Sequence, residues 1–241
     1  MTLTDEARGH QAISRRGLAD QIYDVLLGRI IEQHYGPGAK LNIDALAREL
    51  GVSSSPVREA LAKLAAVKLA VANSYVGYSI APVPDNAWFE EAWRFRSLME
   101  PWAAGEAAIH RPADEIARMH ASMDSLRELL TDAPRVSRPS GIPAENYAIF
   151  KTDVMFHRAV LHASRNRVMI RSFEEMNVHL QFARLAREMP ERVVRVTIAE
   201  HEAVVDAIER GDSEAAKAAM ANHLLQSRMR VGTALEGGSL A

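Results

Sequence analysis

The sequence predicts a mainly α-helical protein in two parts: an N-terminal winged helix-turn-helix and a C-terminal antiparallel all-α bundle of six or seven helices. Three observations predict it. Apolar residues recur with helical period through most of the 241 residues. Near the N-terminus, two such segments are separated by a tight, glycine-containing break and followed by two short β-like pieces. Beyond residue 84 no strand pattern and no repeat occurs, only helix-period segments joined by short breaks.

Residues 1–16 are polar and predict a mobile arm. Leu18, Ile22, Val25, Leu26 and Ile30 give a first helix ending near His34, and Gly36–Lys40 gives a turn. Asn42 is a natural N-cap for a short helix that turns Leu46 and Leu50 inward. Gly51 stops it in the left-handed cap position. Ser53 or Ser54 starts the next helix, Pro56 fits its first turn, and Val57, Leu61 and Leu64 form its buried stripe. Leu69–Asn73 and Tyr78–Ala81 pair as a wing. Pro82 and Pro84 break the chain. The domains expected are an arm at 1–16, a winged helix-turn-helix at 17–82, a bundle at 85–231 and a frayed tail at 232–241.

In the bundle, Asp85 caps a long helix over Asn86–His110. Pro112 opens a second, with Ile116, Met119, Met123, Leu126 and Leu130 inward. Residues 132–144 are rich in Pro, Ser and Gly and predict a linker. Further helices are expected over 145–164, 167–189, 191–210 and 213–231.

Bulk composition narrows the function classes. Hydrophobic content of 48% suffices for a packed core, and a net charge of −2 announces no global affinity for nucleic acid. Cysteine is absent, which removes disulfides and thiolate metal sites. The N-terminus has no apolar signal core, and no run reaches the roughly 18 apolar residues of a membrane helix. The expectation is a soluble, cytoplasmic protein with no membrane contact.

The stretch Glu200–Leu224 carries the chemistry. It predicts two antiparallel helices broken at Gly211, the second capped by Asp212, with His201 near the start and His223 near the end. Asp153 and His157 lie at i,i+4 on another helix and share its face. One Asp and three His on three helices suit one divalent transition metal per chain, Zn, Ni, Fe or Mn. Arg96 and Glu100 are also i,i+4. With Phe95, Leu98, Met99 and Trp102 packed, they would sit at the edge of the packed face and point into a pocket. A buried Arg needs an anion, and Glu100 is one candidate. Trp88, Phe89 and Trp93 look exposed and available for an interface.

The blocks LARELGVSSSPVREALAKL (Leu46–Leu64), VGYSIAPV (Val76–Val83), RFRSLMEPWAA (Arg94–Ala104), DVMFHRAVLHASRN (Asp153–Asn166) and EH…GD…H (Glu200–His223) together resemble the GntR family of transcription regulators, in its FadR-type branch with an FCD domain. The resemblance spans nearly the whole chain. It implies a homodimer that binds operator DNA through winged helices and senses a small organic-acid effector, often with a metal, in the helical domain. Binding of that effector usually releases the DNA, as in a repressor.

In the family, the residue matching Arg96 commonly grips the effector's carboxylate. Glu100, Asn166 and Arg171 are further candidates for effector binding. Arg58 on the recognition helix can fork onto guanine or phosphate. Ser53, Ser54 and Ser55 can donate to phosphate oxygens. Arg48 and Lys63, with Lys40 and Lys68, can cluster on one face, and Arg15 and Arg16 can add contacts from the arm. The chain departs from the family at Asp44 and Ser54, where Arg is common, and at Val76, where the wing is often basic. Residues 1–84 hold nine Lys/Arg (8, 15, 16, 29, 40, 48, 58, 63, 68) and eight Asp/Glu (5, 6, 20, 24, 32, 44, 49, 59). A balance of +1 is thin for a phosphate-binding surface and predicts an atypical operator or low intrinsic affinity.

Two other functions stay open. One is a metal-independent regulator whose pocket, lined by Met155, Phe156, Met169, Phe173 and Met176, takes an apolar or acyl effector. The other is a metal-dependent hydrolase with Glu200 or Glu202 as base. No H-E-x-x-H, phosphate loop or nucleophile elbow is present, so no enzyme is expected.

Overall fold

A computed structural model of the chain describes residues 17–31, 34–73, 77–131, 144–176 and 190–236, the backbone alone for 144–147 and 231–236. The arm with Arg15 and Arg16, Val76, the linker at 132–143, residues 177–189 and the last residues, 237–241, lie outside these.

The first domain opens with α1, Leu18–Ile31. Its buried stripe is Ile22, Leu26 and Ile30, widened by Leu27 and Ile31. Leu18 and Val25, expected inside, are exposed: Leu18 is the first residue of the helix, and Val25 lies beside the i,i+4 series that runs from Ile22. Asn42 Oδ1 accepts from the Ala45 amide at 2.9 Å and caps α2, Ile43–Leu50, which Gly51 ends at φ 67°. The helix α3, Ser54–Ala66, buries Val57, Ala60, Leu61 and Leu64. Three short strands, β1 (Lys40–Leu41), β2 (Ala70–Asn73) and β3 (Gly77–Ile80), form an antiparallel sheet in the order β1-β3-β2. Asn73 Nδ2 donates across the hairpin to Ser79 Oγ at 2.9 Å.

The second domain has six helices among the described residues: α4 (Asn86–His110), α5 (Ala113–Thr131), α6 (Ala144–Ala163), α7 (Arg167–Met176), α8 (Glu191–Glu209) and α9 (Ser213–Glu236). The last runs on past residue 231, where a frayed tail was expected. Asp85 Oδ1 caps α4 through the Trp88 amide at 2.9 Å. The α4 helix touches α6, α7, α8 and α9, and α5 lies against α6 and α8. Gly105 permits the close approach of α4 and α9. A Cβ there would stand 2.9 Å from both Ser213 Oγ and Lys217 Cγ.

The buried face of α4 is not the one its aromatic residues predict. Phe89 and Trp93 are buried, whereas Phe95, Leu98 and Trp102 are exposed. Arg96 and Glu100 lie fully inside, in line with Phe89, Trp93 and Ala103. The reason is pairing: Arg96 and Glu100 hold each other, and His157 on α6 faces Glu100, so the stripe can be buried whole.

A three-residue break, Arg210–Asp212, reverses the chain from α8 into α9. Gly211 sits at φ 73°, its amide donates to Ile208 O at 3.0 Å, and the Asp212 amide donates to Ala207 O at 3.0 Å. Asp212 Oδ1 then caps α9 through the Ala215 amide at 3.0 Å. Among the described residues no helix is long and apolar enough to cross a membrane. Gly211→Val places a β-branched side chain in the left-handed region, 3.3 Å from Arg111 Nη1. It should cost at least about 1–2 kcal/mol of stability, seen as a lower urea midpoint.

Candidate metal centre

Three helices bring four ligand-type side chains to one point in the bundle core. Asp153 and His157 come from α6, His201 from α8 and His223 from α9. One ligand atom of each lies within 4.8 Å of all the others. The three imidazoles are buried, and the Asp153 side chain is 21% exposed, the one ligand with a path to solvent. His157 Nε2 and His223 Nε2 are 3.3 Å apart. His201 Nε2 lies 3.5 Å from Asp153 Oδ1, and His157 Nε2 lies 3.8 Å from Asp153 Oδ2. Phe156 stacks on the His201 ring, centroids 3.7 Å apart and planes 5° from parallel, and fixes its orientation.

This donor set fits a divalent transition ion. Ligands about 2.1 Å from a common ion stand roughly 3–3.4 Å from their neighbours. Three of the separations, 3.3, 3.5 and 3.8 Å, are close to that, and the whole set lies within 4.8 Å. The far nitrogens are also arranged for it. His157 Nδ1 lies 2.5 Å from Glu100 Oε2, and His223 Nδ1 lies 2.8 Å from Glu200 Oε2. A carboxylate on Nδ1 holds the proton there and leaves the Nε2 lone pair facing inward.

Each carboxylate is in turn held by an arginine. Arg96 Nε pairs with Glu100 Oε1, its Nη2 lies 3.3 Å from His157 Nε2, and its guanidinium covers the Trp93 ring at 4.7 Å. Arg230 grips both oxygens of Glu200, each at 2.7 Å. Burial pushes the Glu100 carboxyl pKa up, but the charge of Arg96 and the hydrogen bonds from His157 and Arg96 outweigh it and hold it well below the usual range. Glu200 is likewise held low, its burial outweighed by His223 and Arg230. Burial depresses the His223 pKa against the pull of Glu200, so its imidazole is neutral at neutral pH, as a ligand must be.

The structure therefore brings together Asp153, His157, His201 and His223, and adds Arg96 and Glu100 beside them. Arg96 and Glu100 are in the core rather than at a pocket edge, and Glu100 is Arg96's anion. Asn166 spends its side-chain oxygen capping α7, accepting from the Val168 and Met169 amides at 3.1 Å each. Arg171 lies on the exposed side of α7. Of the apolar candidates, Phe156 and Phe173 are core, and Met155 is exposed. Sequence reasoning missed Arg230. Its signal was available: it stands at i,i+7 from His223, on one face of α9.

On the first domain, Ser53, Ser55, Arg58 and Arg48 are exposed. Lys63 is engaged at home, 2.7 Å from Asp20 and 2.9 Å from Glu59. Glu49 is taken by Arg29 at 2.7 Å. Arg58 makes no ion pair among the described residues, and its acidic neighbours Glu49 and Glu59 pair with Arg29 and Lys63 instead.

Comparison with known proteins supplies the family. The model described as "Bacterial regulatory proteins, gntR family" matches residues 18–80, and the FCD domain model matches residues 91–226, more than half the chain. The chain is 27% identical over 214 residues to a "Probable D-xylose utilization operon transcriptional repressor" of Paenarthrobacter nicotinovorans, covering 88% of each. It is 24% identical over 240 residues to the galactonate operon transcriptional repressor of Escherichia coli K12, covering 88% of this chain and 96% of that one. The fold is that of E. coli McbR/YncC, at a TM-score of 0.68 and 20% identity, covering 91% and 99% of the two chains. The chain belongs to the gntR family of bacterial regulatory proteins, as a DNA-binding transcription regulator whose second domain is an FCD domain.

Proposed function

We propose that the protein is a repressor whose homodimer leaves its operator when a small organic acid binds at a divalent transition metal in the FCD domain. The observation that carries this reading is the convergence of Asp153, His157, His201 and His223 in the core, each imidazole oriented by a neighbour. When bound, the ion supplies a Lewis-acid anchor with positions left for an anionic ligand. A hydroxy acid offers such an ion a carboxylate and an adjacent hydroxyl. The galactonate named for one relative belongs to that class. Asp153 marks the solvent side of the cluster, and Arg96 supplies the positive charge next to it. Family members and relatives are transcription regulators, not enzymes.

The outer carboxylates do the positioning. Glu100 and Glu200 keep the protons of His157 and His223 on Nδ1, and the arginines fix the carboxylates. Glu200→Gln removes the charge from that arrangement at its partly exposed end. It should weaken metal binding about ten-fold or more, measured by competition with a chromogenic chelator, with an unchanged circular dichroism spectrum.

Arg96→Ala leaves Glu100 as a buried, half-compensated charge and should cost about 3–5 kcal/mol in urea unfolding. Arg96→Lys keeps a cation and tests the guanidinium itself. That variant should load metal and lose the response to the acid, and an unaltered response would remove Arg96 from the effector's binding partners.

The proposed function is tested by a thermal-shift screen of small organic acids with protein purified without chelator. One acid should raise the melting temperature only when metal is present, and the same acid should release labelled operator in a gel shift. Metal-free protein that responds to an apolar or acyl compound instead would establish the metal-independent reading.

A further inference from the structure

Ser54 opens α3 and donates its hydroxyl to Asp44 Oδ1, on the first turn of α2, at 2.9 Å. Asp44 is exposed, and its other oxygen makes no hydrogen bond or ion pair among the described residues. It does not cap α2, because Asn42 already does. With the Ser54 proton committed to Asp44, the two side chains present acceptors only. One turn along α3, at i,i+4 from Ser54, Arg58 is exposed and presents donors only. The leading edge of the recognition helix is therefore bipolar.

An acceptor-only carboxylate repels phosphate and cannot take the guanine edge, whose O6 and N7 are also acceptors. In the major groove it can be satisfied by an exocyclic amine. Adenine offers its N6 amine next to the N7 acceptor, which faces a carboxylate unfavourably, whereas cytosine offers its N4 amine with no acceptor beside it on the same base. We propose that Asp44, held by Ser54, is a specificity-determining residue that reads cytosine in each operator half-site. This rests on the DNA-binding reading of α3. Side chains at i and i+4 are about 6 Å apart, and base pairs of the duplex are spaced by about 3.4 Å. Asp44 stands one hydrogen bond beyond Ser54, so the cytosine falls within a few base pairs of the guanine or phosphate taken by Arg58.

The test is selection of binding sequences from random duplexes by the full-length wild type, Asp44→Asn and Asp44→Arg. The wild-type half-site should carry a cytosine that becomes guanine with Asp44→Arg and shifts toward adenine with Asp44→Asn, following the bidentate preferences of those side chains. Replacing that cytosine should weaken wild-type binding roughly ten-fold or more. Ser54→Ala, which frees the carboxylate, should blunt the same preference while leaving other positions unchanged. An identical consensus for all the chains, with altered affinity alone, overturns the assignment of Asp44 but leaves DNA binding intact. Failure of the wild type to enrich any sequence overturns the DNA-binding reading, and this proposal with it.

Discussion

The carboxylate of Glu100 is the constraint around which the second domain is arranged. It has no exposed surface, and an ion that deep must be paired on every side. Arg96, one turn back on α4, and His157, on α6, are those pairs. Satisfying them selects which face of α4 turns inward, sets α4 against α6, and fixes which nitrogen of His157 looks into the cluster. A hydrophobic substitute could pack as tightly at lower desolvation cost, so the pair is poor as a source of stability. Its use is specification: breaking either half leaves a charge in the core, and few other packings of α4 avoid that.

The same unit recurs on the other side of the cluster. Arg230, Glu200 and His223 repeat the order Arg96, Glu100 and His157: guanidinium, carboxylate, then Nδ1 of a ligand-type imidazole. The two copies differ in depth. Side-chain exposures of 2% and 1% for Arg96 and Glu100 compare with 21% and 10% for Arg230 and Glu200. The first copy is a fixed wall, and the second reaches the surface at the end of α9. Two residues before Arg230, Arg228 binds Glu90 near the start of α4. The end of α9 is thus tied both to a cluster residue's partner and to the helix that follows Pro82–Pro84. Any displacement of His223 acts on a helix anchored at the domain boundary.

Much of this was legible in the sequence because it depends on spacing. The i,i+4 placement of Asp153 and His157, the break at Gly211 and the caps at Asn42, Asp85 and Asp212 are local features, and each appears where the spacing puts it. The inner face of α4 was not legible. Apolar counting favours Phe95, Leu98 and Trp102, whereas the helix buries Arg96 and Glu100. Counting treats a charge as a surface residue, and only the third partner, His157, 57 residues further along, cancels the cost of burying them. Arg230 and Glu200 were illegible as a pair for the same reason: they are 30 residues apart, and nothing local joins them.

The thin charge balance of the first domain looks different once its pairs are known. Arg29 is spent on Glu49, and Lys63 is spent on Asp20 and Glu59. Those groups largely cancel within the domain and contribute little to a field at the DNA. What the recognition edge presents is Arg58 and the Ser54–Asp44 pair, with Arg48 exposed on α2. Affinity from counterion release scales with the cations that reach phosphate, and among the described residues Lys40, Arg48, Arg58 and Lys68 are exposed without an ion pair. Base contacts do not share that dependence. The acceptor that Ser54 and Asp44 hold beside Arg58 adds to these cations a group suited to base edges rather than to phosphate.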